Sequence, residues 1–548
     1  MESFDYIVVG GGSSGCLVAA QLSEDPSVSV LLLEHGDSAE EHPETLSATG
    51  YKQAFANDRL VWERFGVASP RWGNRRLFQG SGRGLGGGSS INAMVYTRGS
   101  ELDYDEWPTG WKWRDVQEDF RSIEARLRPN RRPKTEFTEA CLAAAEAAGF
   151  RKKEDLNDGD LSGVLGYEWM NYEGEARRGS YVAYLRPALD RPNLRVRTRA
   201  NVQRVVVGER GVSGVQYELD GALREARATR EVVMCAGALE TPRVLMLSGI
   251  GPSAALRRVG LPALHDVPGI GENLHDHPNV CVFFRGGRDV DCVHPQLYGF
   301  HRANEASDLP KGMSDTCYVF YPAKSSLREA MMRILPGLVL PEALYDVAGI
   351  TRTLRRGIGA AFGSRALREQ IARVYGIVVI LGKPKSRGRV RLGSPDPRVA
   401  SIIDPGYFAN PEDLETMMLG VDRARRIAGA AGLTAWGNTE LFPGPLGRSR
   451  AALESWVRQN VMTTYHYAGT CAMGETASAV TDPRLRVRGV KGLRIADASA
   501  IPVTPVSAMN APSMLVGHRA ASFLLEERRG SSASVSEASG DHEMSRAC

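Results

Sequence analysis

"DYIVVGGGSSGCLVAAQLSEDPSVSVLLLEHG", residues Asp5 to Gly36, reads as one structural unit. Tyr6 to Val9 is a short apolar run of the kind buried on both faces of a parallel sheet. Gly10, Gly12 and Gly15 then form GxGxxG, Ser13 to Ser23 has helical periodicity, and Pro26 helps to end that helix. Val28 to Leu33 is a second buried strand, closed by Glu34. The three glycines meet three needs: a tight turn, close approach of backbone to a pyrophosphate, and close helix–strand packing. The helix start offers free N–H groups and partial positive charge to phosphates. Glu34 follows at the spacing at which an acid accepts from a ribose hydroxyl, which disfavours the 2′-phosphate of NADP and leaves NAD and FAD open.

Composition narrows the class. With 548 residues the chain exceeds one ordinary domain. Its 43% hydrophobic and 24% charged residues are those of a globular protein. A net charge of +4, with no basic stripe interleaved with aromatics, argues against a nucleic-acid partner. Eight cysteines show no CxxC or framework spacing and read as reduced thiols. "MESFDYIVVG" has no basic start and enters a strand at once, so a cytoplasmic location is expected. No stretch reaches the roughly 18–20 uncharged apolar residues of a membrane span. The Ser-rich residues 529–548 are expected to form a disordered tail.

Three further stretches carry chemistry. Gly80 to Gly99, "GSGRGLGGGSSINAMVYTRG", is too glycine-dense for a core element and predicts a backbone loop meeting a ligand, then a short helix. Glu231 to Pro252 predicts a strand ending in Cys235-Ala236-Gly237, then a helix holding Pro242. Lys491 to Pro502 predicts another short strand, ending at Asp497-Ala498. Strands ending in small residues let a cofactor lie across the carboxyl edge of a sheet. In "TTYHYAGTCAMG" (Thr463 to Gly474), His466 reads as a metal ligand, a core residue or a base, and the stretch alone does not decide. A lone His/Cys pair with Cys471 makes a poor metal site, and Cys471 reads as a small buried hydrophobe.

Taken in order, these motifs resemble the glucose–methanol–choline (GMC) oxidoreductase family, over about residues 4 to 525. The cast is closest to its bacterial choline oxidase and choline dehydrogenase branch. The resemblance implies an α/β fold: a discontinuous Rossmann-like FAD-binding domain with a substrate domain built on an antiparallel sheet. Gly10, Gly12, Gly15 and Glu34 are implied to hold the adenosine half of FAD, and the backbone of Val202 to lie near the adenine. Gly86, Gly87, Ser89 and Asn92 are implied to line the flavin half, and Asp497 and Ala498 the pyrophosphate–ribityl side. His466 matches the family's catalytic histidine, and Asn510 is read as the second catalytic position. Choline oxidase has a flavin-linked histidine where Ile91 stands here, so FAD is expected to be non-covalent.

The implied activity is oxidation of a small-molecule alcohol. Its hydroxyl proton goes to His466, a hydride goes to flavin N5, and the electrons pass to oxygen or another acceptor. Non-oxidative members of the fold, the hydroxynitrile lyases and fatty-acid photodecarboxylases, are the alternative. The FAD domain is expected at residues 1–150, 193–278 and 460–528, and the substrate domain at 151–192 and 279–459, with Val374 to Leu381 and Arg389 to Leu392 as strands of its floor. Residues 326–370 read as a helical lid. A second reading makes them a rim in weak contact with membrane, but Pro336 and Pro341 break a long amphipathic helix and favour the first. His275 and His277 read as structural.

Overall fold

The computed structural model describes residues 1–345 and 347–544, and two sheets organise them. In the first, five strands run parallel in the order Leu194–Arg197, Val30–Leu33, Glu2–Val9, Ala222–Met234 and Leu493–Ile495. Ala222–Met234 is longer than expected, and its first half forms an antiparallel meander with Gly211–Leu219 and Asn201–Gly208. Val30–Leu33 is buried at every position because both faces of the sheet are covered. The helix Ser13–Leu22 packs against the C-terminal helix Asn510–Met544. Of the expected tail, the part to Met544 lies on this helix and residues 545–548 lie outside the described residues.

Two glycines show how closely the backbone packs at the two glycine loops. A Cβ on Gly15 would stand 1.8 Å from the Gly10 carbonyl oxygen. Gly87, at φ +48°, would place one 2.8 Å from Gly12 Cα, so the two glycine loops meet backbone to backbone.

The second sheet has the order Thr439–Phe442, Pro278–Arg285, Val374–Leu381, Thr316–Pro322, Leu297–His301, Val164–Tyr167 and Arg151–Lys152. Met462–Thr463 pairs with Pro278–Arg285, and all pairings are antiparallel except Arg151–Lys152 with Val164–Tyr167. The expected strand Val374 to Leu381 is central in it. Arg389–Arg391, also expected on this floor, instead pairs with Ile402–Asp404 in a separate ribbon.

Two domain boundaries shift. The helix Glu136–Ala147, expected with the first unit, buries Phe137, Cys141 and Leu142 in the core of the second sheet. Conversely Tyr181, Tyr184 and Leu185, expected with the second unit, pack in the core around the first sheet. In each case the apolar face follows the nearest open core, a choice made by packing that leaves no composition break in the chain.

The segment 326–370 is helical: Leu327–Val339, Glu342–Tyr345, Ala348–Ala361 and Arg365–Ala372, the last ending just past it. Pro336 lies inside the first helix, which ends one turn later, so it shortens this helix without preventing it. No helix among the described residues is long and apolar enough to cross a membrane. The fully buried Arg333 fastens the segment: it donates to the Phe55 carbonyl at 3.0 and 3.1 Å and pairs with Asp58 at 2.8 Å and Glu63 at 3.3 Å. Arg355 pairs with the same two acids. Phe55, Phe78 and Phe65 then link Tyr465 to Tyr345 through ring contacts of 4.9–5.8 Å at the two ends. Arg333→Met leaves the Phe55 carbonyl without its donors, a loss of about 1–3 kcal/mol. Limited proteolysis of that variant should cut residues 327–361 faster than in wild type; an unchanged rate would show that the latch lies elsewhere.

Candidate active site

The parallel strands end on one cleft. Its walls include Gly10, Gly12 and Ser13 after the first strand, Glu34 and His35 after the second, and Asp497 and Ala498 after the last. Val202 also lines it, next to Ala200 and Asn201. Gly15 is packed behind this wall, against Gly10. Gly12 precedes the helix with no side-chain cap, and the first-turn N–H groups have no intrahelical acceptor. A Cβ on Gly12 would meet nothing nearer than 4.0 Å, so this turn faces open space.

Two buried acids tie the rim together. Glu34 accepts from the backbone N–H of Gly11 at 2.8 Å, Gly36 at 2.7 Å and Gly84 at 3.0 Å. Three of its roughly four acceptor positions are thus used, and one remains for a ligand. Asp497 accepts from Gly237 N–H at 2.9 Å, the Thr241 hydroxyl at 2.6 Å and Ser499 N–H at 2.8 Å. Burial pushes the Asp497 pKa up, against these hydrogen bonds, which favour the charged form.

In the second glycine loop, Gly87 and Gly88 reach the cleft. Gly86 donates to the Gly11 carbonyl at 2.7 Å and joins the two loops. Ser89 and Asn92 brace this loop with their side chains. The Ser89 hydroxyl bonds the Gly86 carbonyl at 2.7 Å and Ser180 at 2.8 Å, and Asn92 Oδ1 accepts from Arg177 at 2.8 Å and Met94 N–H at 3.0 Å.

His466 stands next to the cleft wall residue Tyr467, half-buried, and its ring partner is His277. The two Nδ1 atoms are 3.0 Å apart and the rings are nearly perpendicular, at 87°. Below them lies Asp276. Its Oδ1 accepts from the N–H of both His277 and His466 at 2.8 Å, and its Oδ2 accepts from the hydroxyls of Tyr407 and Thr463. All four partners donate, as an ionised carboxylate requires. Burial pushes the Asp276 pKa up and these hydrogen bonds oppose it. Burial pushes His466 down to about 4 and His277 well below its ordinary value, so both rings are neutral at neutral pH. His277, expected to be structural, and Asp276 are brought to His466 by the pairing of Pro278–Arg285 with Met462–Thr463, where the Asn279 amide donates to the Thr463 carbonyl at 3.0 Å.

The Asn510 side chain bonds two neighbours. Its amide donates to the Ser13 hydroxyl at 3.1 Å and accepts from Asn171 at 3.4 Å, and no hydrogen bond joins it to His466 among the described residues. It supports the dinucleotide turn, since Ser13 is a cleft wall. Cys471 is fully buried, with its backbone N–H on Ser499.

These features fit FAD: an uncapped helix start for phosphates, an acid at the ribose position and a second glycine loop across the cleft. Residues 4–279 match the N-terminal part of the GMC oxidoreductase family and residues 384–517 its C-terminal part, and the chain belongs to that family. It is 32% identical over 551 residues to the oxygen-dependent choline dehydrogenase of Sinorhizobium medicae, covering 95% of each chain. It is 31% identical over 560 residues to an alcohol dehydrogenase (acceptor) of Pseudomonas putida, covering 96% of each. The crystal structure of pyridoxine 4-oxidase from Mesorbium loti is similar with a TM-score of 0.80 at 26% identity, over 94% of this chain and 98% of that one. The protein is an FAD-dependent oxidoreductase of alcohols, and the non-oxidative alternative is not favoured.

Two substitutions separate the roles. Glu34→Gln turns an amide toward one of the three backbone donors and removes a charged acceptor, worth about 1.5–3 kcal/mol. FAD titration of the apoprotein should show affinity lower by roughly one to two decades. Asn510→Ala should weaken FAD binding through Ser13 and leave the rate of flavin reduction by alcohol near wild type. Normal affinity with slow reduction would return Asn510 to the role of donor to the substrate oxygen.

Proposed function

We propose that His466 Nε2 is the base that takes the hydroxyl proton of a small primary alcohol, with oxygen or another acceptor receiving the electrons. Similarity to choline and acceptor-linked alcohol dehydrogenases supports the substrate class. The carrying observation is the difference between the two nitrogens of His466. Nδ1 is bonded to His277, whereas Nε2 has no hydrogen-bond partner among the described residues and is not sealed in the core.

The proton count follows from the dyad. Two neutral rings meeting through Nδ1 share one proton. His277 Nε2 is buried with no hydrogen-bond partner among the described residues, while the Pro505 carbonyl is the backbone group that favours a proton on that ring. With the His277 proton on Nε2, its Nδ1 accepts and His466 Nδ1–H donates. His466 Nε2 is then left as a lone pair, the form a general base needs. When that nitrogen takes the alcohol's proton, the imidazolium keeps its Nδ1–H on His277, on a backbone held by the buried Asp276 carboxylate. Loss of the O–H proton makes the carbinol carbon a good hydride donor. FAD, when bound, supplies the hydride acceptor.

His466→Ala should retain FAD and slow anaerobic flavin reduction by about 10²–10⁴-fold, the usual contribution of a general base. Because burial lowers its pKa, His466 is unprotonated above about 4, and the rate should fall only as pH drops toward that value. An unaltered rate in His466→Ala would make His466 structural. For the cofactor linkage, Ile91 lies in the short helix Gly88–Ile91 and has no side-chain nitrogen to bond the flavin. Acid precipitation should leave the yellow colour in the supernatant; colour in the pellet would reveal a covalent bond.

A further inference from the structure

Among the described residues three arginines are fully buried: Arg177, Arg333 and Arg494. Arg333 is paired with Asp58 and Glu63, and Arg494 with Glu231 at 3.0 Å and Glu527 at 2.8 Å. Arg177, 1% exposed, has no carboxylate within ion-pair distance among the described residues. Its Nη1 donates to the Ser89 carbonyl at 2.9 Å and to Asn92 Oδ1 at 2.8 Å, and its Nη2 donates to the Asn92 carbonyl at 2.7 Å. Its Nε is buried without a partner. All its acceptors are neutral, and a buried charge held by neutral groups alone is costly. Burial lowers its pKa to about 9, with the Tyr51 hydroxyl acting the other way, so it stays charged at neutral pH.

The place of this charge is informative. Arg177 grips Ser89 and Asn92, the two ends of a turn that continues directly into Gly87 and Gly88 of the cleft wall. The protein therefore holds a fixed positive charge behind the loop that resemblance to the family assigns to the flavin half of FAD, and no acid among the described residues pairs with it. We propose that the counter-charge is the flavin itself: Arg177 stabilises the negative charge that the ring acquires with two electrons, and so raises the reduction potential. A guanidinium suits this because it holds two carbonyls and an amide in fixed geometry and does not give up its proton. Arg177 is then a positioning residue for the loop and an electrostatic one for the cofactor.

The test uses the FAD-bound protein and no alcohol substrate, so it is independent of the role given to His466. Arg177→Gln removes the charge and keeps hydrogen-bonding capacity; Arg177→Lys keeps the charge. FAD content is measured first, then the two-electron potential by dye equilibration and the affinity for sulfite, which adds as an anion to oxidised flavin. Arg177→Gln should lower the relative stability of the reduced form at least about tenfold, about 30 mV for two electrons, and weaken sulfite binding by a similar factor. Arg177→Lys should stay near wild type in both. A flavin-replete Arg177→Gln with wild-type potential and sulfite affinity would overturn the proposal. If Arg177→Gln does not retain FAD, the reduced wild-type spectrum decides: an anionic reduced flavin at and below neutral pH supports the proposal, and a neutral one overturns it.

Discussion

The site depends on one buried carboxylate. Asp276 receives four hydrogen bonds, from two main-chain N–H groups and two hydroxyls, and the two N–H groups belong to residues 189 positions apart in the chain. Hydrogen bonds to a charged acceptor are worth about 1.5–3 kcal/mol each, enough to fix both backbones against the desolvation of the acid. Around it, the segment 275–279 pairs with 462–468: His275 with Ala468, Asn279 with Met462, and Pro278 with Thr463. The imidazoles of His277 and His466 therefore meet because their backbones are bound to the same carboxylate. Neither ring has an acid partner within ion-pair distance among the described residues, and burial keeps both neutral.

The same device recurs across the cleft. Glu34, Asp276 and Asp497 are each buried, and each accepts backbone N–H groups from segments distant in sequence. Glu34 draws the second glycine loop to the first, and Asp497 draws the start of the helix Gly237–Leu247 to the last parallel strand. Buried acids here fix loop positions, and loops fix the ligand. That is economical in a site made of glycine turns, which have few side chains with which to hold themselves.

Much of this is written locally in the sequence. GxGxxG, its flanking strands and Glu34 follow from periodicity and spacing, and the short strands ending at Cys235 and Asp497 follow from small residues after apolar runs. The antiparallel floor at Val374 to Leu381 is legible for the same reason. What escaped reading is set by tertiary contact. The helix Glu136–Ala147 has an apolar face that fits either core, and packing alone sends it to the second. His277 shows nothing at residue level that separates it from His275 until strand pairing brings it to His466. Asn510 carries the right chemical group for a substrate donor, and its bonds to Ser13 and Asn171 are set by helix packing and invisible in spacing.

The placement of one proton tests this view of the dyad most directly. Nitrogen-15 NMR of histidine-labelled protein reports which ring nitrogen of each imidazole carries hydrogen. At neutral pH His466 should show a protonated Nδ1 and a bare Nε2, while His277 shows the reverse, with scalar or exchange coupling across the Nδ1 pair. A His466 protonated at Nε2, or charged at neutral pH, would contradict the assignment and leave no free base at the site.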